Sequence, residues 1–252
     1  MREFTPPCSR HDMGVPLFRH QLAPFPLDDV ARFSYTTYRG FFAMDRRSLL
    51  GMVAGLVSAG GIGTSFPAAA AGAATDSPYT ARSLGNPDAP IKIYEYFSLN
   101  CPHCAEFATH ALPKVIETYV KPGKAYYVFK DFPLNEDALW AAQIARTLPS
   151  RAYFPFISEL FRTQDEWAYA PDLKTPKDYQ NALFRYAALA GMDRATFDAA
   201  IANKKLRAFV LKELNEAEKT YKVNSTPTFI INGRKREGAV SFDTFSSWLK
   251  AA

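Results

Sequence analysis

Two cysteines stand two residues apart in Cys101-Pro102-His103-Cys104, behind an apolar run and at the start of a helical pattern. Thiols at that spacing can close and reopen a disulfide, so the chemistry they suggest is thiol–disulfide exchange. If the pair opens a helix, the free N–H groups of the first turn and the positive end of the helix dipole stabilise an anion at Cys101. A protonated His103 would add a second favourable charge. Cys101 is therefore the expected nucleophile and Cys104, one turn on, the expected resolving thiol. Pro102 suits a first turn, where a missing N–H costs nothing. Other uses of the pair fit less well. A zinc site needs two further ligands, but beyond residue 74 only His103 and His110 remain. Haem attachment asks for histidine at the fifth position, which is Ala105.

The surrounding sequence supplies elements able to hold such a pair. Ile91 to Phe97 is rich in β-branched and aromatic residues and reads as a buried strand leading into the cysteines. Ala108, Leu112, Val115 and Tyr119 recur at helical spacing, which predicts a helix from about Cys101 to Tyr119, kinked by Pro113. Alternation along the strand puts Glu95 on one face with Ile93 and Phe97, where a carboxylate is costly unless paired or used. Ala125 to Phe129 reads as a central strand, and Lys130 at its end is the candidate charge partner of Glu95. Further on, Thr228 to Ile231 predicts a strand, Asn232-Gly233 a type I′ turn, and Arg234 to Glu237 a returning edge strand. Pro227 falls just before the first of these. Between the two strand regions helical periodicity dominates. Tyr179, Leu183, Tyr186, Ala187 and Ala190 form one stripe, and Leu206, Val210, Leu214, Ala217 and Tyr221 another. Leu139 to Leu148 and Phe156 to Phe161 are shorter helical stretches, and Trp167 to Pro176 reads as a loop. A last helix, capped by Ser241 or Asp243, carries Phe245, Trp248 and Leu249 on one face.

From Gly85 to the C-terminus the chain resembles the DsbA family of bacterial thiol:disulfide oxidoreductases. The matching residues are Gly85-Asn86-Pro87-Asp88-Ala89-Pro90, Glu95-Tyr96-Phe97-Ser98 leading into CPHC, Lys130-Asp131-Phe132-Pro133-Leu134, and Thr226-Pro227-Thr228-Phe229. The resemblance implies an α/β architecture, a thioredoxin-like fold interrupted by an inserted α-helical domain at about 135–222. It also implies that Thr226-Pro227 is a cis-proline loop facing the dithiol, and that Glu95 handles a proton for the buried cysteine. The implied activity is oxidation of dithiols in unfolded or reduced secreted proteins, with reoxidation by a membrane quinone-linked partner of the DsbB type and no bound cofactor. Threonine before the proline also occurs in reductases and isomerases of this fold, which keeps a periplasmic reductase or isomerase as the alternative. From a different class, CxxC permits a dithiol carrier for copper, although no methionine or histidine cluster accompanies it.

The N-terminal third points to export. Met44-Asp45-Arg46-Arg47 precedes a small, apolar run from Leu49 to Ile62 and an alanine-rich stretch from Ala68 to Ala74. This is the pattern of a signal peptide over 44–74 with cleavage near Ala71 to Ala74, and the run is short for a permanent span. Arg46-Arg47 fits either the Sec or the twin-arginine route into the periplasm. Residues 1–43, with five prolines and a lone Cys8, match neither a leader nor a domain and read as a non-native or disordered extension. The remaining 75–252 hold 23 basic against 20 acidic side chains. That balance is too mild to suggest nucleic acid, and Arg234-Lys235-Arg236 reads as a charged strand edge.

Overall fold

The computed structural model describes residues 77–251. The expected extension at 1–43 and leader at 44–74 lie outside the described residues. A five-stranded sheet carries the fold in the order β1-β3-β2-β4-β5: β1 (Arg82–Leu84), β2 (Ile91–Phe97), β3 (Ala125–Asp131), β4 (Thr228–Ile231) and β5 (Arg234–Glu237). β2 and β3 run parallel, joined by helix α1 (residues 102–120), while β1, β4 and β5 pair antiparallel to their neighbours. After β3 the chain leaves the sheet for α2 (Glu136–Thr147), α3 (Ser150–Arg162), α4 (Gln164–Trp167), α5 (Pro176–Leu189), α6 (Arg194–Ala202) and α7 (Lys204–Tyr221), then returns as β4. α8 (Phe242–Lys250) closes the chain. This is the thioredoxin-like core with a helical insertion that the resemblance implies.

Residue alternation in β2 divides the core. Ile93 and Phe97 face α1, α8 and the insertion, whereas Tyr96 faces Leu214 and Ala217 of α7 on the other side of the sheet. Phe107 of α1 stacks against Phe229 of β4 and Phe245 of α8, with centroids 4.7 and 5.1 Å apart, so the helix that carries the cysteines is fixed to the sheet by aromatic contacts. Phe97 meets Phe161 of α3 at 5.8 Å, which binds the insertion to the same core.

Helix α1, residues 102–120, differs from the expected regular helix. It alternates α-helical Pro102–Glu106 and Leu112–Val115 with π-helical Phe107–Ala111 and Ile116–Val120. The first π turn, in which the Leu112 N–H reaches back to Phe107 O, stands immediately before Pro113. A proline ring cannot sit against the carbonyl four residues back, and the wider turn makes room for it without breaking the helix. Three short elements escaped the sequence reading: β1, α4 and α6. β1 lies in a stretch that reads as polar and turn-like, and it is a strand because Arg82, Ser83 and Leu84 pair with Phe129, Val128 and Tyr127. The turn that follows depends on Gly85, whose φ is +91° and whose absent Cβ would lie 2.6 Å from Ala125 O. The Asn232-Gly233 hairpin has φ of +46° and +83°, as a type I′ turn requires. Ser241, not Asp243, caps the last helix, accepting from the Thr244 N–H.

One buried ionic cluster ties the insertion to the sheet. Arg146 of α2, 1% exposed, pairs with Asp131 at the end of β3 and with Glu213 of α7 at 2.9 Å, and donates to the carbonyls of Pro78 and Thr80. Removing one partner of such a cluster strands a buried charge, which costs about 3–5 kcal/mol, whereas replacing the pair by apolar groups costs far less. Arg146→Met is therefore expected to destabilise the protein by that amount in urea unfolding at neutral pH. The double variant Arg146→Met with Asp131→Leu should recover most of the loss.

Candidate active site

The strand–turn–helix junction places the two thiols. Cys101 is the N-cap of α1 with extended φ and ψ of −83° and 120°, and Pro102 opens the first turn. Its N–H is used by Ser98 O at 3.1 Å and its carbonyl accepts from the Ala105 N–H at 3.1 Å, so the backbone on both sides of the sulfur is fixed. Cys101 is 5% exposed and Cys104 is wholly buried, and both are free thiols. The loop before β4 comes from far along the chain to face them: the Cys101 thiol donates to Thr226 O at 3.3 Å, and the Thr226–Pro227 bond is cis. The Thr226 hydroxyl is buried and finds no partner beside the neutral thiol.

The two thiols are pushed in opposite directions. A hydrogen bond from the Cys104 thiol lowers the Cys101 pKa from 9.0 to about 6 against the effect of burial, helped by the Thr226 hydroxyl and the backbone N–H groups of Cys104 and His103. Burial raises Cys104 well above its ordinary value, and the bond it gives to Cys101 and the charges of Cys101 and Glu95 add to the effect. His103 thus contributes through its backbone. Its imidazole is exposed, with Nδ1 3.8 Å from Glu106, whereas the sequence reading drew on the ring's charge.

Glu95 lies on the inward face of β2, 2% exposed. Burial raises its pKa from 4.5 to about 7, partly offset by a hydrogen bond from the Tyr127 hydroxyl at 2.7 Å and reinforced by the charge of Cys101. Lys130 does not join it. Lys130 stands opposite Tyr96, not Glu95, in the β2–β3 register, and its ammonium bonds Glu213 at 2.6 Å. Strand alternation explains the correction, since a side chain one position out of phase with the inward face points to the other side of the sheet. Tyr127, within the apolar run of β3, is the group that meets Glu95. Its signal was a polar tip within the apolar run and in phase with Phe129, the residue opposite Glu95. Gln164 and Tyr169 were also missed. Gln164 donates to Leu99 O and Cys101 O at 2.7 and 3.0 Å, and Tyr169 donates to Asn100 O. Among the described residues no group of three or more His, Cys, Asp and Glu side chains could hold a metal ion.

A dithiol at a helix start, a cis-proline loop opposite it and a helical insertion after the second core strand define a thioredoxin-fold protein of the DsbA architecture. Comparison with known proteins agrees. The sequence pattern of the family described as Thioredoxin matches residues 77–251, and the chain belongs to that family. The crystal structure of Wolbachia pipientis alpha-DsbA1 superposes with a TM-score of 0.62 at 29% identity, covering 68% of this chain and 90% of that one. That of a protein-disulfide isomerase from Novosphingobium aromaticivorans gives 0.59 at 26% identity, over 68% and 96%. RP025 of Rickettsia prowazekii, whose name places it among the protein-disulfide oxidoreductases, is 29% identical over 164 residues. That match takes in 65% of this chain and 58% of the relative, so the chain spans little more than half the length of the curated relatives it matches.

The raised Glu95 pKa has a definite sign in stability. The fold holds this proton to higher pH than the unfolded chain does, so stability falls between pH 4.5 and about 7 and stays lowered above that range. The penalty is about 3 kcal/mol. Glu95→Gln removes the charge and keeps an oxygen for Tyr127 to bond. The variant should exceed the unmodified protein in stability by about 2–3 kcal/mol at pH 8 and match it near pH 4, in denaturant unfolding. Equal stabilities at both pH values would contradict the assignment of a buried, ionising carboxylate.

Proposed function

We propose that this chain is an exported protein thiol:disulfide oxidoreductase that acts as a dithiol oxidase, introducing disulfides into reduced secreted proteins. The observation that carries the reading is the opposed tuning of the two thiols, Cys101 lowered to about 6 and Cys104 raised. A low-pKa sulfur is a good leaving group and a stable thiolate, so it favours the reduced enzyme and makes the disulfide form an oxidant. In the linkage, Cys101 contributes stability to the reduced protein that is fully present above pH 9.0 and is lost as pH falls through about 6. The full contribution is about 4 kcal/mol, of which about 1.4 kcal/mol is present at pH 7.

The cycle follows from these acidities. A substrate thiolate attacks Cys101 Sγ in the Cys101–Cys104 disulfide; the S–S electron pair leaves on Cys104, which takes a proton. Glu95, beneath the site and protonated to about pH 7, is the proposed donor. The second substrate thiolate attacks the substrate sulfur of the mixed disulfide and expels Cys101 as a thiolate. The substrate has lost two electrons and Cys101 and Cys104 have gained them. Pro102 shapes the first turn, His103 supplies an N–H, and the Thr226-Pro227 loop faces the reacting sulfur. No further cofactor is required. A quinone-linked membrane partner of the DsbB type would remove the electrons, and the leader at 44–74 would deliver the protein to the periplasm.

Equilibration of the dithiol with glutathione tests the direction of catalysis. A reduction potential near −120 mV, about the value for strong oxidants of this fold, supports the oxidase; one near −270 mV, about that of thioredoxin, would move the assignment to a reductase. The roles of the two sulfurs are tested separately on non-reducing gels. Cys104→Ser should accumulate mixed disulfides with reduced client proteins and Cys101→Ser should not. Trapping by Cys101→Ser alone would reverse the roles.

A further inference from the structure

Three consecutive carbonyls run up to the reactive sulfur, those of Leu99, Asn100 and Cys101, and each accepts a hydrogen bond from the helical insertion. The Gln164 amide spends both N–H bonds here, on Leu99 O at 2.7 Å and Cys101 O at 3.0 Å, and the Tyr169 hydroxyl takes Asn100 O. The amide orientation is forced, because rotating it would set an oxygen against two carbonyl oxygens. Gln164 is 7% exposed, so water cannot substitute for it. The segment that carries these groups is itself anchored: Trp167, with no exposed surface, donates from Nε1 to Leu160 O at 2.7 Å, and the Ala168 and Tyr169 N–H groups close on Gln164 O.

We propose that Gln164 and Tyr169 are positioning residues for the dithiol, holding the negative ends of these three peptide dipoles away from Cys101 Sγ and thereby stabilising its thiolate. The proposal rests on the reading of Cys101 as the nucleophilic thiol. The peptide between Cys101 and Pro102 is held from two sides, its carbonyl accepting from Gln164 and from the Ala105 N–H. That fixes the plane from which the turn starts, and with it the aim of the His103 and Cys104 N–H groups at the sulfur. A buried carbonyl that loses its donor must turn to find another. Without Gln164, Leu99 O loses its donor and Cys101 O is held by the Ala105 N–H alone, and a turn at either peptide moves those N–H groups off the sulfur or brings a carbonyl oxygen toward it. Both changes oppose a negative charge. The inserted domain thus acts on the reaction from behind the backbone, without touching either sulfur.

The test uses the intact protein with Gln164→Met, which keeps the shape and removes both donors, and with Tyr169→Phe. Thiolate absorbance against pH reads the Cys101 pKa directly. The expected result is a rise of about one unit, tenfold in acidity, for Gln164→Met and a smaller rise for Tyr169→Phe. The glutathione equilibrium should shift by a similar factor toward the oxidised enzyme. Unfolding of both redox forms separates positioning from plain structural support, since positioning costs the reduced form more. A Cys101 pKa unmoved in both variants, with equal losses in the two redox forms, overturns the proposal. If Gln164→Met does not fold, Tyr169→Phe decides alone. An unmodified protein whose Cys101 titrates near 9.0 would overturn the nucleophile reading itself, an outcome distinct from a low pKa that the variants leave unchanged.

Discussion

A sulfur meant to carry charge with 5% of its residue exposed cannot rely on water, so the protein has to supply the donors. That requirement organises the structure around Cys101. The helix start offers N–H groups of His103 and Cys104, Cys104 also offers its thiol, and the loop before β4 brings the Thr226 hydroxyl. None of these is a full charge. The site stabilises a thiolate with dipoles held in place, which is why so much of the fold is concerned with fixing backbone orientation at residues 98–105.

The two halves of the architecture meet at that same backbone. The thioredoxin-like sheet delivers β2 and the cis-proline loop, and its aromatic contacts through Phe107, Phe229 and Phe245 fix the helix that carries the thiols. The insertion is fastened to the sheet at the end of β2 and β3 that leads into the site, by the Arg146 cluster on Asp131 and by Phe161 against Phe97, the register partner of Asp131. A buried ion pair contributes little net stability but penalises any displacement that separates its members. It is therefore better suited to fixing how the two halves dock than to strengthening them.

Much of this was legible in the sequence because it depends on local pattern. CPHC after a β-branched run, the Thr226-Pro227 segment before a strand, the Asn232-Gly233 turn and the stripes of α5 and α7 each follow from residue type and spacing, and each appears in the structure. What escaped depended on pairing across the chain. β1 has three residues, too few to show alternation, and α6 buries only Phe197 and Ala200, too few for a stripe. Lys130 looked like the partner of Glu95 because both lie near the motif; the register, which sequence alone does not reveal, sends it to Glu213 instead. Gln164 is 63 positions from Cys101, and nothing in its neighbourhood distinguishes it from a surface glutamine.

The neutral partner of Glu95 has a consequence for how electrons and protons are counted. A lysine there would neutralise a second negative charge in the buried site; a tyrosine hydroxyl only eases it, so the Glu95 carboxyl stays protonated to about pH 7. Burial, with help from the charge of Cys101, keeps the Glu95 proton in place up to about pH 7, and Cys104 holds its own well above the ordinary thiol value. Between about pH 6 and about pH 7, two electrons thus enter the disulfide with one proton taken up at sulfur. A two-electron, one-proton couple drifts by only about 30 mV per pH unit, half the slope of a dithiol that takes up both protons. Within that window the potential of the Cys101–Cys104 couple is held steadier against the acidity of its surroundings than that of a dithiol taking up two protons.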